Sequence, residues 1–286
     1  MRRCGQIGIA IALGLASAAP PAQAAGRPAV AGLQVTLRHH HVYGGPVDGI
    51  IGPGTKAAVI RFQRRHGLTP DGVVGPRTRR ALGRFARHTL GSRALAPGMT
   101  GWDVAELQFA LAWHGFPNGT IDGGFGAHAE HALIQFQRWV RLSADGVAGS
   151  ETIRALRGPL PRSPISFAWP LQAPVATAFG PRGIRFHPGI DLAAPTGTPV
   201  GAAAGGRVIF SGFDPGGYGK LVEIAHGHGV VSLYAHLSAL SVRVGRAVAT
   251  GTRIGRVGST GEATGPHVHF EVRVRGAAVD PRQALP

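Results

Sequence analysis

Residues 265–274 read Gly-Pro-His-Val-His-Phe-Glu-Val-Arg-Val, and from position 267 onward polar and apolar residues alternate. Alternation with a period of two is typical of a β-strand with one apolar and one polar face. His267 and His269 would then share one face of the strand, about 6.6 Å apart at roughly 3.3 Å per residue. The segment therefore predicts a strand that presents two histidines side by side.

Short runs of similar character precede this segment. They alternate in polarity or are rich in β-branched residues, and they are Gly206-Arg-Val-Ile-Phe210, Leu221-Val-Glu-Ile-Ala225 and Val230-Val-Ser-Leu-Tyr234. Clusters of glycine lie between the runs, which indicates short strands joined by turns. We therefore predict that residues 165–286 form an antiparallel all-β domain.

The predicted β domain contains the residue types of a catalytic zinc site. His187-Pro-Gly-Ile-Asp191 is placed in a loop that enters a strand, because proline and glycine oppose a helix there. With His236, His267 and His269, this segment supplies two histidines and a carboxylate for the metal and two more histidines for proton transfer. A catalytic zinc takes three protein ligands and keeps a fourth position for water, whose pKa it lowers toward neutrality.

The N-terminal half contains a tandem duplication. Val47-Asp-Gly-Ile-Ile-Gly52 recurs as Ile121-Asp-Gly-Gly-Phe-Gly126, and Pro70-Asp-Gly-Val-Val-Gly75 recurs as Ala144-Asp-Gly-Val-Ala-Gly149, in each case 74 positions later. The dipeptide Phe62-Gln63 repeats with the same spacing, so no gap is needed. A fixed spacing of this kind indicates two copies of one folding unit.

Each copy is predicted to form a small all-α unit of three helices, over residues 29–88 and 97–157. Apolar residues recur near helical spacing, and Asp-Gly pairs set the turns because glycine supplies a positive φ. The proline-rich residues 158–164 are predicted to be a semi-rigid linker. We thus expect a multidomain chain in which two all-α units precede the all-β domain.

The first 24 residues have the order of a secretory signal peptide. Met1-Arg2-Arg3 is followed by an apolar run and then by small residues that end at Ala24. The apolar run is shorter than the roughly 20 residues that a membrane-spanning helix needs. We therefore expect cleavage near Ala24 and a mature protein that is secreted or lies in the cell envelope, without a transmembrane segment. Cys4, the only cysteine, would leave with the signal peptide.

Positive charge dominates the composition, with 30 basic and 14 acidic residues and a formal net charge of +16. Loss of Arg2 and Arg3 with the signal peptide, and of no acidic residue, lowers this charge to +14. Such a charge favours polyanions, of which anionic wall polymers are those that an exported protein would meet. A specific nucleic-acid partner rests on charge alone and conflicts with the signal peptide. No heptad repeat suggests an oligomer, so we expect a monomer.

Residues 165–286 resemble the catalytic domain of the M23 (LytM or lysostaphin-like) zinc peptidases. The resemblance is carried by the His-x-x-x-Asp motif at His187 and Asp191, and by Tyr234-Ala-His236-Leu, Gly258-Ser-Thr-Gly261 and Gly265-Pro-His-Val-His-Phe270. It implies one zinc ion per catalytic domain, with His187, Asp191 and His269 as its ligands. It also implies that His236 and His267 are catalytic, flanking the zinc-bound water as proton-transfer residues.

The duplicated units resemble small three-helix peptidoglycan-binding domains, through Asp48-Gly49, Phe62-Gln63, Asp71-Gly72, Gly75 and their counterparts 74 positions on. This resemblance implies attachment to the wall, although most of these motif residues are expected to build turns and a small core. Together the two resemblances imply a secreted zinc metalloendopeptidase that cleaves peptide stems or cross-links of peptidoglycan. The tethered units would raise the local substrate concentration. The alternative is a non-catalytic wall-binding regulator of another hydrolase, which fits less well because all five site residues are present.

Two charged residues near the site motifs leave several roles open. Glu271 lies two positions beyond His269 on the same strand face, where it either holds an imidazole from behind or makes a plain cross-strand contact. Some M23 relatives carry a tyrosine six positions before the first ligand, where this chain has Pro181. Arg182 is a fixed positive charge nearby, and an oxyanion role, a salt bridge and a contact with a substrate carboxylate all remain open for it.

Overall fold

The helices and strands fall into two separate parts of the chain. The computed structural model describes residues 26–286, so the predicted signal peptide, residues 1–24, lies outside the described residues. Helices occupy the N-terminal part of the described chain, and antiparallel strands occupy the C-terminal part. The predicted fold class, two all-α units followed by an antiparallel all-β domain, is confirmed. Within residues 26–286, none of the helices combines the length and the apolar character that crossing a bilayer requires.

Each duplicated unit contributes three α-helices. Their bounds are α1 (Pro28–His39), α2 (Pro53–Arg65), α3 (Pro76–Ala81), α4 (Trp102–Trp113), α5 (Ala127–Trp139) and α6 (Ser150–Leu156), with a short 3₁₀ turn at Arg84–Ala86. The three helices of the first unit all begin at proline. Proline suits this position because its ring presets the helical φ and its missing N–H would have no partner there. α1 packs against α4, so the two units lie side by side.

A buried glutamine closes each of the four Asp-Gly turns. In the second unit, Gln137 donates its amide to Asp145 Oδ1 at 2.7 Å, and its Oε1 accepts a hydrogen bond from the backbone N–H of Gly146 at 3.0 Å. The same pair of bonds joins Gln34 to Asp48-Gly49, Gln63 to Asp71-Gly72 and Gln108 to Asp122-Gly123. The four glycines have φ values of 71–79°, a region that other residues rarely adopt. The repeated motif residues therefore maintain the internal structure of the units.

The strands of the C-terminal domain are short and pair only in antiparallel fashion in the described chain. Their bounds are β1 (Val175–Thr177), β2 (Gly180–Arg182), β3 (Arg185–His187), β4 (Ile190–Ala193), β5 (Pro199–Gly201), β6 (Gly206–Asp214), β7 (Gly219–Ala225), β8 (Val230–Ala235), β9 (Ala239–Leu240), β10 (Ala247–Val248), β11 (Arg253–Arg256), β12 (His267–Val274) and β13 (Ala277–Val279). The main sheet has the order β1-β4-β12-β8-β7-β6-β10, and β13 pairs with β12. β5, β11 and β9 form a smaller sheet, while β2 and β3 form a separate hairpin.

Strand β12 lies in the interior of the main sheet, between β4 and β8, and has the two faces that its sequence predicts. Val268, Phe270 and Val272 are fully buried in the apolar core. Burial of one large apolar side chain contributes about 1.5–3 kcal/mol, so this face fixes the register of the strand strongly. The opposite face carries His269 and Glu271, and the pairing of β12 with β4 sets Asp191 directly across from His269. The apolar face of β12 thus determines where its polar face meets β4.

The helical units pack directly against the β domain. One continuous apolar core contains Val35 and Trp113 from the helical part together with Phe179 and Phe186 from the β domain. Residues 158–164, between α6 and β1, contain no helix or strand. The two parts of the described chain are therefore docked through a shared apolar core, in addition to being joined by the connecting segment.

Candidate metal and catalytic site

Three separate strands bring the predicted metal ligands together. His187 is the last residue of β3, Asp191 lies in β4 and His269 lies in β12. Gly189 makes the connection between β3 and β4 possible, since a Cβ there would lie 2.4 Å from the carbonyl oxygen of Phe270. This close approach brings the β3–β4 connection down onto β12, beside His269.

The ligand atoms of these three residues form a compact triangle. His187 Nε2 lies 3.0 Å from Asp191 Oδ1 and 3.0 Å from His269 Nδ1, and His269 Nδ1 lies 2.9 Å from Asp191 Oδ1. Each of the three residues is only 5% exposed. The structure thus places three potential ligand atoms at one buried point. These three residues form a group that could hold a metal ion.

In each imidazole, the hydrogen bond at the nitrogen that faces away from Asp191 determines whether the other nitrogen carries a proton or a lone pair. His187 Nδ1 lies 2.9 Å from the carbonyl oxygen of Ala178, which can only accept, so Nδ1 carries the proton. His269 Nε2 lies 2.9 Å from the Glu271 carboxylate, so this nitrogen also donates. In their neutral forms both rings then turn a lone pair toward Asp191. Three such acceptors within 3.0 Å of one another need a proton or a metal ion between them, and two imidazoles with one carboxylate form a ligand set that suits zinc.

Hydrogen bonds among these buried side chains shift the pKa values of Asp191 and His269. Burial raises the pKa of Asp191, but hydrogen bonds from His187 and His269 outweigh burial and hold the pKa far below its usual range. Burial lowers the pKa of His269, but hydrogen bonds to Asp191 and Glu271 outweigh it and raise the pKa to about 9. Asp191 therefore remains an anion at neutral pH, and a proton on His269 competes with a metal ion for the same place.

Glu271 holds His269 from behind, which settles the choice between its two predicted roles. Its Oε1 accepts hydrogen bonds from His269 Nε2 at 2.9 Å and from the Tyr218 hydroxyl at 2.7 Å. Its Oε2 accepts a hydrogen bond from Arg273 Nε at 2.8 Å. Burial raises the pKa of Glu271, but His269, Arg273 and Tyr218 outweigh burial and lower it to about 2. Glu271 is therefore an ionised, fully buried acceptor that fixes the orientation of the His269 ring.

The sequence did not predict the roles of Tyr218 and Arg273. Arg273 Nη2 donates to the Tyr218 hydroxyl at 2.8 Å, which completes the hydrogen bonding behind Glu271. A signal for Arg273 was present, because it continues the alternate positions of His269 and Glu271 along β12. Tyr218 lies in the loop before β7, where no periodicity could have revealed its neighbours.

The two predicted proton-transfer residues lie beside the three predicted metal ligands. The rings of His236 and His267 are 4.8 Å apart, and His267 Nε2 lies 3.7 Å from Asp191 Oδ1. His236 Nδ1 donates to the carbonyl oxygen of Thr260, and His267 Nδ1 donates to that of Gly265, both at 2.8 Å. Each ring therefore keeps Nε2 available as a proton acceptor.

The position of His236 depends on an unusual backbone conformation. It follows the end of β8 with a φ of 60°, in the left-handed region that costs energy for residues other than glycine. A hydrogen bond from its backbone N–H to the carbonyl oxygen of Tyr218 holds it there. Burial lowers the pKa of the His236 side chain; the bond to Thr260 opposes this shift, and the nearby His267 and His269 reinforce it. The ring is therefore neutral near pH 7.

Arg182 lies at the edge of this site. Its Nη1 is 3.8 Å from Asp191 Oδ2, and 55% of its side chain remains exposed. The structure therefore contains the salt bridge that was one of the predicted roles. An ion pair this long and exposed is weak, so the guanidinium also remains accessible from the cleft.

All five predicted site residues line one cleft of about 480 Å³. The cleft is also lined by Arg182 and Tyr218 and by residues of the 216–217 and 262–266 loops. Glu262, on one of these loops, adds a further carboxylate to the lining of the cleft. Of the described residues, those of the helical units before Gly158 do not line this cleft. Docking of the helical units therefore leaves the cleft open.

Comparisons with known protein families match three segments of the chain. Residues 185–281, which include all five site residues, match peptidase family M23. Residues 26–82 and 100–156 match the peptidoglycan binding domain family. The recognition of an M23 peptidase domain with two peptidoglycan-binding domains is confirmed.

Several proteins are similar to parts of the chain. DD-carboxypeptidase/endopeptidase Mpg of Neisseria meningitidis serogroup B is 56% identical over 97 residues, which cover 34% of this chain and 22% of that protein. Peptidoglycan DD-endopeptidase ShyA of Vibrio cholerae is 36% identical over 152 residues, which cover 50% of this chain and 34% of that protein. A crystal structure of a zinc-containing peptidase from Vibrio cholerae has 34% identity and a TM-score of 0.40, and covers 42% of this chain and 41% of that one. The chain thus spans between 22% and 34% of the length of these two curated relatives.

Replacement of Glu271 by glutamine is expected to weaken zinc binding about 10- to 100-fold, because the bond to His269 loses its charge and its fixed direction. Competition with a chromophoric chelator measures the affinity. Glu223→Gln is the matched control, because it removes the same charge from a half-buried glutamate on β7, which β8 separates from β12 and which also interacts with Arg273. Equal zinc affinity in the wild-type and Glu271→Gln proteins would contradict the role assigned to Glu271.

Proposed function

Because the C-terminal domain belongs to peptidase family M23 and the helical units belong to the peptidoglycan binding domain family, we propose that the chain is a zinc endopeptidase acting on bacterial peptidoglycan. The observation that carries this proposal is the convergence of His187, Asp191 and His269 at the base of an open cleft. His236 and His267 stand beside these three residues with acceptor nitrogens available. This arrangement supports metal-assisted hydrolysis.

The proposed substrate is a peptide stem or cross-link of the wall. Mpg and ShyA are by name an endopeptidase and a peptidoglycan endopeptidase, and they share 56% and 36% identity with the matched segments. The two helical units support the same substrate, since peptidoglycan would be their binding partner. The open cleft can admit an extended peptide that remains attached to the wall polymer.

His187, Asp191 and His269 would hold the zinc ion. The chemistry that zinc supplies in such a site is Lewis acidity, which polarises a carbonyl group and lowers the pKa of a water molecule. Asp191 contributes the negative charge, and its low pKa keeps that charge available at neutral pH. Glu271 directs the His269 lone pair toward the site by binding the opposite ring nitrogen.

Proton transfer is assigned to His236 and His267. A neutral His236 accepts a proton at Nε2, because its Nδ1 is occupied by the bond to Thr260. His267 Nδ1 is bound to the carbonyl oxygen of Gly265 in the same way, which leaves its Nε2 free to accept a proton. One of the pair takes the proton of the attacking water, and the protonated ring then passes it to the leaving amine.

Arg182 is proposed to contact an oxygen of the substrate. Its guanidinium lines the cleft and keeps half of its side chain exposed beside Asp191. A fixed positive charge there stabilises negative charge that develops on a peptide carbonyl during attack. In this role Arg182 would take the place of the tyrosine that some M23 relatives carry at the position of Pro181.

The proposed location is the cell envelope or the exterior of a bacterial cell, after removal of the signal peptide near Ala24. The sequence of residues 1–24 and the match to peptidoglycan binding domains support export. The net charge of +14 expected after cleavage also favours contact with anionic wall polymers. We propose that the exported chain acts as a monomer.

Digestion of purified peptidoglycan tests the proposal. Residues 25–286 are expected to release fragments with new amine and carboxyl ends inside the stem or cross-link, identified by mass spectrometry. A chelator and the His269→Ala substitution are both expected to abolish the release, because either one removes the metal. Absence of release, with zinc and wall both still bound, would favour the regulator of another hydrolase instead.

His236→Ala is expected to keep a normal zinc content but to lower the rate on a soluble cross-linked peptide roughly 100-fold or more, because a general base is lost. Metal analysis and initial rates give the two values. His228→Ala is the matched control: His228 is exposed in the turn between β7 and β8, outside the cleft, and also has a positive φ, of 50°. Zinc loss in the His236→Ala protein would show that His236 is a ligand, contrary to the proposed role.

A further inference from the structure

We propose that the helical units position the metal site as well as bind the wall, and that Trp113 is the positioning residue. The contact is made with the β2–β3 hairpin, which ends in His187. This inference rests on the proposed function in one respect, since it takes His187 to be a metal ligand. It goes beyond that function because the role of the helical units then extends to the chemistry in the cleft.

The two helical units bind adjacent residues of the hairpin turn with equivalent residues of their own. The backbone N–H of Val47 donates to the carbonyl oxygen of Gly183, and that of Ile121 donates to the carbonyl oxygen of Ile184, each at 2.7 Å. Val47 and Ile121 are 74 positions apart, so they occupy the same place in the two copies. The duplication thus provides two matched donors for two consecutive acceptors.

Each of these donors stands next to a rigid turn. Val47 precedes the Asp48-Gly49 turn, and Ile121 precedes the Asp122-Gly123 turn. Buried Gln34 and Gln108 close these turns with hydrogen bonds to both the aspartate and the glycine. The interior of each helical unit therefore fixes the position from which it holds the hairpin.

Trp113, at the end of α4, packs against both strands of the hairpin region. Its ring lies 5.3 Å from the ring of Phe186 and 6.1 Å from that of Phe179, in edge-to-face geometry in both cases. The two phenylalanines lie 5.0 Å apart and are also edge to face. All three rings are buried, so this cluster forms a continuous apolar contact between α4 and the hairpin.

The two phenylalanines flank the hydrogen bond that orients the first metal ligand. Phe186 directly precedes His187, and Phe179 directly follows Ala178, whose carbonyl oxygen accepts the Nδ1–H of His187. Trp113, which does not line the cleft, therefore packs against the residues at both ends of this bond. Loss of the indole ring would leave a void beside Phe179 and Phe186, and the His187 ring would lose its fixed direction.

A second tryptophan on the same unit contacts the β domain elsewhere. Trp139, at the end of α5, donates its indole N–H to the carbonyl oxygen of Val274 at 3.1 Å and lies beneath the guanidinium of Arg275. Val274 is the last residue of β12, five positions from His269. Trp139 therefore contributes to docking without contact to the hairpin, which makes it a matched control.

The test compares Trp113→Ala, Trp113→Phe and Trp139→Ala in the full mature chain. Zinc affinity is measured by chelator competition, and amide hydrogen exchange of residues 180–187 is measured by mass spectrometry. Trp113→Ala is expected to weaken zinc binding about tenfold and to speed the exchange, whereas Trp113→Phe restores both values. Trp139→Ala is expected to leave zinc affinity and hairpin exchange unchanged. If the alanine protein does not fold, Trp113→Leu takes its place.

Two results would overturn the proposal. The first is a Trp113→Ala protein with wild-type zinc affinity and wild-type exchange of residues 180–187. The second is an equal loss of zinc affinity in Trp139→Ala, because the loss would then reflect general destabilisation. A wild-type chain that bound no zinc would instead refute the proposed metal site, and the hydrogen exchange would still decide whether Trp113 holds the hairpin.

Discussion

Two imidazole nitrogens and a carboxylate oxygen, all acceptors and all within 3.0 Å of one another, are the constraint on which the rest of the structure depends. When both rings are neutral, such atoms repel one another unless a proton or a metal ion lies among them, and burial strengthens the repulsion because the surroundings screen it poorly. The sheet supplies the force that holds them together, through the register of β4 with β12. That register follows from the apolar face of β12, so hydrophobic burial is what assembles the polar site.

Oppositely charged side chains pair with one another around the three ligand atoms. Asp191 faces the site directly, and Glu271 acts on it through His269. Arg273 compensates Glu271 at 2.8 Å, and Arg182 lies 3.8 Å from Asp191 on the cleft side. The carboxylates therefore remain ionised at neutral pH although they are buried. A strongly basic chain thus places the buried carboxylates of Asp191 and Glu271 around the site proposed to bind a divalent cation.

The sequence predicted the parts of the structure that local patterns determine. The alternation of residues 267–274 predicted both faces of β12, and the spacing of 74 positions predicted two equivalent helical units. Family resemblance selected the five site residues from the histidines and acids of the chain. The docking of Trp113 and the roles of Val47 and Ile121 were not predictable, because they join residues more than 60 positions apart without a shared motif. Tyr218 was missed for the same reason, since its partner Glu271 is 53 positions away.

The central claim is that His187, Asp191 and His269 together form a zinc site, and anomalous diffraction tests it most directly. Crystals of residues 25–286 grown with zinc would be measured on both sides of the zinc absorption edge. The account predicts an anomalous peak at about 2.0–2.2 Å from His187 Nε2, His269 Nδ1 and an oxygen of Asp191. A map without a peak at this position, or with zinc held by other residues of the cleft, would contradict it.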